Sequence, residues 1–133
     1  MGKVAAHLRV LTNTYKPTAA VIRARFIGHD GNQIGVLGAK AEAIAQDAWD
    51  AADIARAADD LSGNYKGLAG TLSGFEELEA SAPFADGAEL TSDAAGKGIT
   101  AVATNWVNAI AYKAAGAAGD IVMVRKIEGY IKA

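Results

Sequence analysis

The stretch FADGAELTSDAAGKGITAV, residues 84–102, decides how the second half of this chain is read. An Asp-Gly pair is followed by a short run that contains apolar residues and by Thr-Ser-Asp. A Gly-Lys-Gly sequence and alternating apolar residues come next. Glycine and aspartate at such steps mark turns, and short runs between turns are typical of strands. The Gly-Lys pair does not complete the spacing of a phosphate-binding loop. The stretch therefore predicts strands and turns without a nucleotide site.

Turn signals and apolar alternation continue on both sides of this stretch. From Asn64 onward, short apolar runs alternate with Gly-rich turns at roughly ten-residue spacing, which is typical of a closed sheet or a sandwich. In the run at residues 120–127, Ile121, Met123 and Arg125 fall on one strand face and the intervening residues on the other. Residues 21–26 alternate similarly, an Asp-Gly hairpin signal follows them, and residues 33–46 continue as strand. The sequence predicts a mainly β fold.

One segment departs from this alternation. Residues 47–61 are rich in alanine, the best helix former, and their apolar residues recur at helical spacing. Asp47 is the expected N-cap, and Gly63 is the expected stop. The sequence predicts one short helix, which Trp49 and Ile54 lay against the sheet.

The first sixteen residues are predicted to form an extended N-terminal arm, followed by a single β-rich domain over residues 17–133. Apolar residues are scattered through the arm, and Pro17 both lacks an N–H and pushes Lys16 into an extended conformation. The arm contains basic residues and no acid. We expect it to become ordered on a neighbouring surface, because termini are mobile unless they are tied down.

Charge is divided unevenly along the chain. Residues 1–29 contain five basic residues and no acid, whereas residues 41–93 contain twelve acids against two basic residues. This division favours head-to-tail contact or docking on a charged partner, with an uneven solvated surface as the alternative. The basic residues lack the clustering and stacking aromatics of a nucleic-acid site, so no nucleic acid is expected as a partner.

Composition narrows the class of protein further. A length of 133 residues fits one domain, and the absence of cysteine excludes disulfides and thiolate metal sites. No apolar run approaches the roughly twenty residues of a membrane helix, so no membrane partner is expected. The first residues lack the apolar core of a secretory signal, which predicts synthesis in the cytoplasm.

The residues that usually carry catalysis or bind metals form no known constellation. His7 and His29 have no ligand or base at a suitable spacing, and the serines belong to no nucleophile motif. Glu77 and Glu79 would share a strand face and lie close enough for a hard cation, but acids on a solvent face are the commoner explanation. We expect no enzyme activity, no cofactor and no metal.

Two stretches, ADGAELTSDAAGKGITAV and NAIAYKAAGAAGDIVMVRKIEG, resemble the C-terminal half of the small capsid decoration (cement) proteins of tailed bacteriophages. The similarity consists of a Gly-x-x-Leu-Thr-Ser-Asp-x-x-Gly-Lys segment, an Ile-Ala run, an Ala-Gly-Asp turn and a Val-rich final strand, at residues 87–97, 110–115, 118–120 and 121–125. The early strand that ends in an Asp-Gly turn also resembles the family. Residues 43–74 depart from it, because family members usually cross this region in a short loop.

The resemblance implies a β-barrel or β-tulip-like domain on the outside of a phage head. It implies a virion structural protein without catalysis, which binds the major capsid protein, often as a homotrimer, and stabilises the capsid lattice. The candidate contacts to the capsid or a neighbouring subunit are Lys3, Arg9, Leu11, Lys16, Trp106 and Tyr130. Another phage head or tail structural protein, such as a tail-tube subunit or a head fibre base, and a small β-barrel that binds a sugar or peptide are the alternatives.

Overall fold

The computed structural model describes residues 10–60, 62–63 and 65–133. Among these residues, eight strands and one helix follow one another: β1 Leu11–Tyr15, β2 Phe26–Ile27, β3 Ala43–Ala45, α1 Ala51–Asp59, β4 Leu68–Glu79, β5 Glu89–Ser92, β6 Gly98–Thr100, β7 Trp106–Ala111 and β8 Ile121–Ile131. The predicted mainly β fold with one short helix is confirmed. Within the described residues, no helix is both long and apolar enough to span a bilayer.

The strands form one antiparallel sheet that curls into a nearly closed barrel. Its order is β2-β3-β4-β8-β7-β5-β6, with β1 added on β4. The twelve-residue strand β4 belongs to two regions, because its first half pairs with β1 and β3 and its second half pairs with β8. A backbone bond from Phe26 N to Gly96 O (2.7 Å) brings the two ends of the sheet together, and one from Glu79 N to Ala24 O (2.9 Å) attaches the segment before β2 to the end of β4.

Two groups of buried side chains correspond to the two halves of β4. The barrel core contains many small residues: Phe26, Ala41, Ile44, Leu78, Ala80, Phe84, Leu90, Ala109, Ala111, Ala115 and Val124. The second cluster contains Tyr15, Val21, Ile27, Ala43, Ala45, Trp49 and Leu68, and Ile54 and Ala57 of α1 pack against it. Alanine thus makes up nearly half of the barrel core, and the second cluster is built around Trp49 and Tyr15.

The predicted strands over residues 21–26 and 33–46 are mostly wrong, since regular pairing is confined to β2 and β3. Ala24 has a φ of 64°, in the left-handed region, which breaks the strand before Phe26. Side-chain amides then replace the strand ladder: the Asn32 Oδ1 accepts from Thr18 N at 3.0 Å, and the Gln33 Oε1 accepts from Ile22 N at 3.1 Å. Alternation alone could not reveal these side-chain bonds.

The hairpin turn predicted between these segments is present. Gly31 has a φ of 84°, and its N–H donates to the Gly28 carbonyl at 2.9 Å. Ile34 N donates back to Phe26 O at 3.0 Å, which closes the hairpin. Glycine fits this position because only a residue without Cβ adopts such a φ freely.

The helix is shorter than predicted and starts at a different cap. Asp50, not Asp47, is the N-cap of α1: its carboxylate accepts from Asp53 N at 2.9 Å, and the Asp53 carboxylate accepts from Asp50 N at 3.0 Å. This reciprocal capping box satisfies two backbone donors and fixes the start. Trp49 therefore precedes the helix, where it is buried and donates its indole N–H to Pro17 O at 3.0 Å.

The second half of the predicted N-terminal arm lies on the sheet. Leu11–Tyr15 is strand β1, paired with β4 from Leu68 to Ser73. Tyr15 is buried in the second cluster, and its hydroxyl donates to the Glu42 carboxylate. The remainder of the arm, residues 1–9, lies outside the described residues.

Candidate functional site

The Thr-Ser-Asp-x-x-Gly-Lys segment forms the tight turn between β5 and β6. The Asp93 carboxylate accepts from Ala95 N and from Lys97 N, both at 2.8 Å. Partial burial opposes ionisation of Asp93, but hydrogen bonds from Ser81 and from these two amides outweigh it and lower its pKa. The polar residues of the motif are thus used to bend the backbone.

Arg25 ties this turn to the rest of the barrel. It is nearly buried, and its Nε and Nη2 donate to Glu79 at 3.2 and 3.0 Å while its Nη1 donates to Ala95 O at 2.9 Å. Lys97 lies 3.4 Å from the other Glu79 oxygen. Because Arg25 precedes β2 and Glu79 ends β4, one buried cation joins three separate parts of the chain.

A glycine is required at the tip of this turn. Gly96 has a φ of 79°, and a Cβ built there would lie 3.1 Å from Phe26 O and 2.9 Å from the Gln33 side chain. Any side chain would therefore push apart the bond that closes the barrel. The glycine of the motif is explained by packing and conformation, without a ligand.

The Ala-Gly-Asp turn before β8 is built by the same device. The Asp120 carboxylate accepts from Gly116 N at 3.0 Å and Ala117 N at 3.1 Å. Backbone bonds of 2.8 Å from Gly119 N to Ala80 O and from Ala80 N to Asp120 O attach the turn to the end of β4. Both sequence motifs therefore position strands.

Glu77 and Glu79 share the outer face of β4, as predicted, but each is neutralised by arginine. Arg23 lies 3.1 Å from Glu77, and Arg25 lies 3.0 Å from Glu79. Among the described residues, no group of three or more metal-binding side chains comes together. In this arrangement the two glutamates form ion pairs that hold residues 23–25 on the barrel.

Two of the predicted contact residues, Trp106 and Tyr130, lie in the same ladder but on opposite faces of it. Trp106 and Tyr130 lie at neighbouring positions of the β7–β8 ladder, opposite Ile131 and Val107 respectively. Trp106 is half-buried with the Lys40 ammonium 5.0 Å from its ring, a cation–π distance. Tyr130 is 45% exposed, and its hydroxyl donates to Glu89. Directly paired residues share a face and successive residues alternate, so this aromatic pair, Trp106 and Tyr130, projects from opposite faces of the sheet at one end of the barrel.

The remaining predicted contacts lie on or beyond β1. Leu11 is 49% exposed at the start of the strand, whereas Lys16 follows its end and donates to Gly63 O at 3.1 Å. Lys3 and Arg9 are outside the described residues.

Leu11 also lines an open depression of about 880 Å³ that sequence reasoning missed. One wall is the hairpin at residues 28–36, and the other is made by residues 39–42, Ser73 and Glu128. Its volume falls within the usual range of small-ligand clefts. No local sequence motif predicts this depression, because it forms between the hairpin and residues that are distant in the chain.

A buried lysine lies close to this depression. Lys126 projects inward from β8, is 1% exposed, and donates its ammonium to Ile127 O. Burial lowers the Lys126 pKa to about 8; nearby Glu42 opposes this shift, while Lys40 adds to it. The sequence showed that Lys126 shares a face with Val122 and Val124, but not that this face is the inner one.

A buried asparagine closes the barrel on the same side and was also missed. Asn108 on β7 is fully buried; its Oδ1 accepts from Ala41 N and its Nδ2 donates to Ala39 O, both at 2.9 Å. These bonds satisfy the Ala41 N–H and the Ala39 carbonyl, which precede β3 and pair with no strand. Asn108 resembles any surface asparagine in the sequence, since its burial depends on distant segments.

The sequence matches no protein-family profile and no curated protein. The fold is similar to that of a solved structure, the N base of the head fibre protein gp8.5 of bacteriophage phi29, with a TM-score of 0.60. The similarity covers 94% of this chain and 100% of that chain, at 14% sequence identity. At this identity, the comparison establishes that the two chains share a fold over nearly their whole length.

Proposed function

We propose that this protein is a structural component of a tailed-phage head and binds the outer surface of the capsid as a decoration protein. The observation that carries the proposal is the shared fold with the N base of a phage head fibre, over 94% of this chain. The turn motifs that resemble decoration proteins point to the same kind of protein. Their polar side chains are engaged in backbone turns, which is consistent with a role in assembly.

The aromatic pair and the basic arm are the proposed contacts with the shell or a neighbouring subunit. Trp106 and Tyr130 supply apolar area, and aromatic anchors of this kind carry most of the energy of many interfaces. Lys3, Arg9 and Lys16 supply charge, which mainly sets orientation and association rate. Repeated contacts of modest strength across a lattice, with homotrimers as the proposed unit, add up through multivalency.

The test uses heads of the phage that encodes this chain, assembled without it. The purified full chain is mixed with these heads, which are then pelleted and imaged by cryo-electron microscopy. We expect density at regular positions on the outer surface and greater resistance of decorated heads to heat. Absence of the chain from the pellet at micromolar concentrations would exclude the proposed function.

Two substitutions separate anchors from charge in the same assay. Trp106→Ala should lower occupancy on heads more than Arg9→Ala does, while Arg9→Ala should remove more of the dependence on salt above about 0.15 M, where the Debye length falls below about 8 Å. Melting of the free Trp106→Ala variant is the control. A normal melt with lost docking assigns Trp106 to the interface, and a collapsed melt assigns it to the core.

A head fibre base is the second candidate, and the shared fold with the phi29 protein favours it. A decoration protein should occupy lattice positions as a low cap, whereas a fibre base should carry a projection away from the shell. Images of native heads distinguish the two by the height of the density above the shell.

A ligand-binding barrel is the third candidate, and the 880 Å³ depression is the observation in its favour. A stoichiometric thermal shift with a sugar or peptide, lost on substitution of Ser73 in the depression, would support it. Binding to heads that is unaffected by such a ligand would keep the structural role.

A further inference from the structure

The outer face of the barrel between β4 and β8 carries apolar side chains where water-facing polar residues are expected. We call Phe75, Tyr112, Ile121, Met123 and Arg125 the aromatic face. In the β4–β8 ladder, Phe75 lies opposite Arg125, Glu77 opposite Met123, and Glu79 opposite Ile121. These six side chains therefore point to the same, outer side of the sheet. The Phe75 and Tyr112 rings meet edge to face, with centroids 5.1 Å apart.

This face is open to solvent in the single chain. Tyr112 is 58% exposed, Ile121 41% and Met123 36%. Antiparallel sheets with one buried face usually keep the other polar, and contiguous exposed apolar residues mark contact sites. Tyrosine, methionine and arginine are also the residue types enriched at protein interfaces.

The charge of the aromatic face is positive. Its glutamates are already neutralised, Glu77 by Arg23 at 3.1 Å and Glu79 by Arg25 at 3.0 Å. Within the part of the chain that the structure describes, Arg125 and Lys113 have no carboxylate within 4 Å, and the Lys113 ammonium lies 5.9 Å from the Tyr112 ring centre. A partner for this face should therefore present carboxylates around a smooth apolar centre.

The helix α1 of the same chain presents such a surface. Its inward side chains Ile54 and Ala57 pack on the second cluster, but none of its residues is fully buried. The outward side is a row of exposed alanines at positions 51, 52, 55 and 58. Residues 47–60 contain five aspartates and one arginine, with exposed Asp47 and Asp59 near the two ends of the helix.

The two surfaces match in size as well as in charge. The nine residues of α1 span about 13 Å, and the four steps from Phe75 to Glu79 also span about 13 Å. Three adjacent strands are about 10 Å across, close to the diameter of a helix. Alanine side chains would let the projecting Tyr112 and Met123 approach the helix backbone closely.

We propose that the aromatic face of one copy binds the acidic, alanine-faced helix α1 of a second copy, in a head-to-tail contact between identical chains. The helix packs on the second cluster, and the aromatic face lies on the second half of β4 and on β8, so each copy offers both surfaces at different places. Such a heterologous contact gives rings if the rotation closes and filaments if it does not. The proposal does not depend on the phage-head function.

The test reverses the charge of each surface separately. One variant carries Lys113→Glu with Arg125→Glu, and the other carries Asp47→Lys with Asp59→Lys; both leave the turns and the buried clusters unchanged. Sedimentation velocity over a range of concentrations should show self-association of the unmodified full chain. Each variant alone should associate at least about tenfold more weakly, because each now repels its own kind.

Mixing the two variants is the decisive experiment. The reversed face of one variant faces the reversed helix of the other with opposite charges, and the unmodified surfaces are complementary as well. The equimolar mixture should regain association to within about threefold of the unmodified chain. Glu128→Lys, an exposed acid away from both surfaces, is the matched control and should associate normally.

Tyr112→Ala tests the apolar part of the contact. Loss of the exposed ring should weaken self-association roughly tenfold or more while the melt of the free chain is unchanged. The proposal is overturned if the unmodified chain stays monomeric at all concentrations, or if the mixture fails to regain association. It is also overturned if Tyr112→Ala abolishes binding to heads but leaves self-association intact, because the occupant of the face is then the shell.

Discussion

The two halves of β4 lead into regions that are built in different ways. Beside its second half lies the eleven-residue strand β8, the turns before β6 and β8 are held by Asp93 and Asp120, and the barrel core contains many alanines. Beside its first half, strands are short, α1 lies on the surface, and Trp49 and Tyr15 fill the space. Where local turns fix the strands, the core is rich in alanine; where they do not, Trp49, Tyr15 and side-chain amides hold the chain.

The two tryptophans of the chain report on these regions separately, Trp49 on the second cluster and Trp106 on the end of the barrel. Variants that keep only one of them, Trp49→Phe and Trp106→Phe, follow the unfolding of each region by fluorescence. Coincident transitions would mean that β4 couples the regions into one cooperative unit.

The largest effect is expected in the barrel core. Leu78→Ala removes a fully buried side chain from the second half of β4 and should lower the free energy of unfolding by about 2–5 kcal/mol. Urea denaturation followed at both tryptophans measures the loss. Because β4 is shared, both transitions should move together, and a shift confined to Trp106 would show that the regions unfold independently.

The next effect comes from the buried amine. A Lys126 pKa of about 8 in the folded chain, against 10.5 for the free side chain, means that the unfolded state binds more protons between these values. Stability should therefore rise as pH increases from 8 towards 10. Lys126→Met should stabilise the chain at pH 7 by about 1–3 kcal/mol and remove that rise. Urea titrations at pH 7, 8, 9 and 10 test both points, and an equal rise in the variant would contradict the assignment.

A smaller effect is expected at the turn between β5 and β6. Asp93→Ala leaves two backbone N–H groups without their acceptor and should cost about 1–2 kcal/mol. Since the folded state lowers the Asp93 pKa, the stabilisation is present above the unfolded value and is lost as the pH falls through the folded value. Asp93→Asn keeps an acceptor and is the control: it should retain part of the stability and lose the acid dependence.

The smallest effect is expected at the helix cap. Asp50→Ala removes one side of the capping box and should cost about 0.5–1 kcal/mol, because α1 is exposed and contributes little to either core. Asp47→Ala, at the position that the sequence favoured as cap, should change stability less. A loss from Asp50→Ala as large as that from Leu78→Ala would mean that the helix supports the barrel directly.

The turns and the final strand could be predicted from the sequence because their signals are local. Gly31 and Gly96 need a conformation that other residues avoid, and Asp93 bonds amides within four residues of itself. The alternation in β8 follows from strand geometry alone. Each of these signals depends only on residues that are close in the chain, so the sequence is enough to predict the structure there.

The sequence could propose Trp106 and Tyr130 as contacts, because large aromatic residues are common anchors at interfaces. Only the register of β7 on β8 shows that the two residues lie in one ladder and on opposite faces of it. The aromatic face went unnoticed because Phe75, Tyr112 and Met123 come from three separate segments.

By itself, the sequence determined the fold class, the hairpin turn, the two aspartate turns and the alternation of β8, all of which follow from backbone preferences over a few residues. The tertiary structure alone decided that Lys126 points inward, that Asn108 serves buried backbone near Ala41, and that Asp50 rather than Asp47 starts the helix. Both faces of β8 carry apolar and basic residues, so its pattern does not say which one is buried. That choice depends on which strands lie on either side, and those strands come from distant parts of the chain.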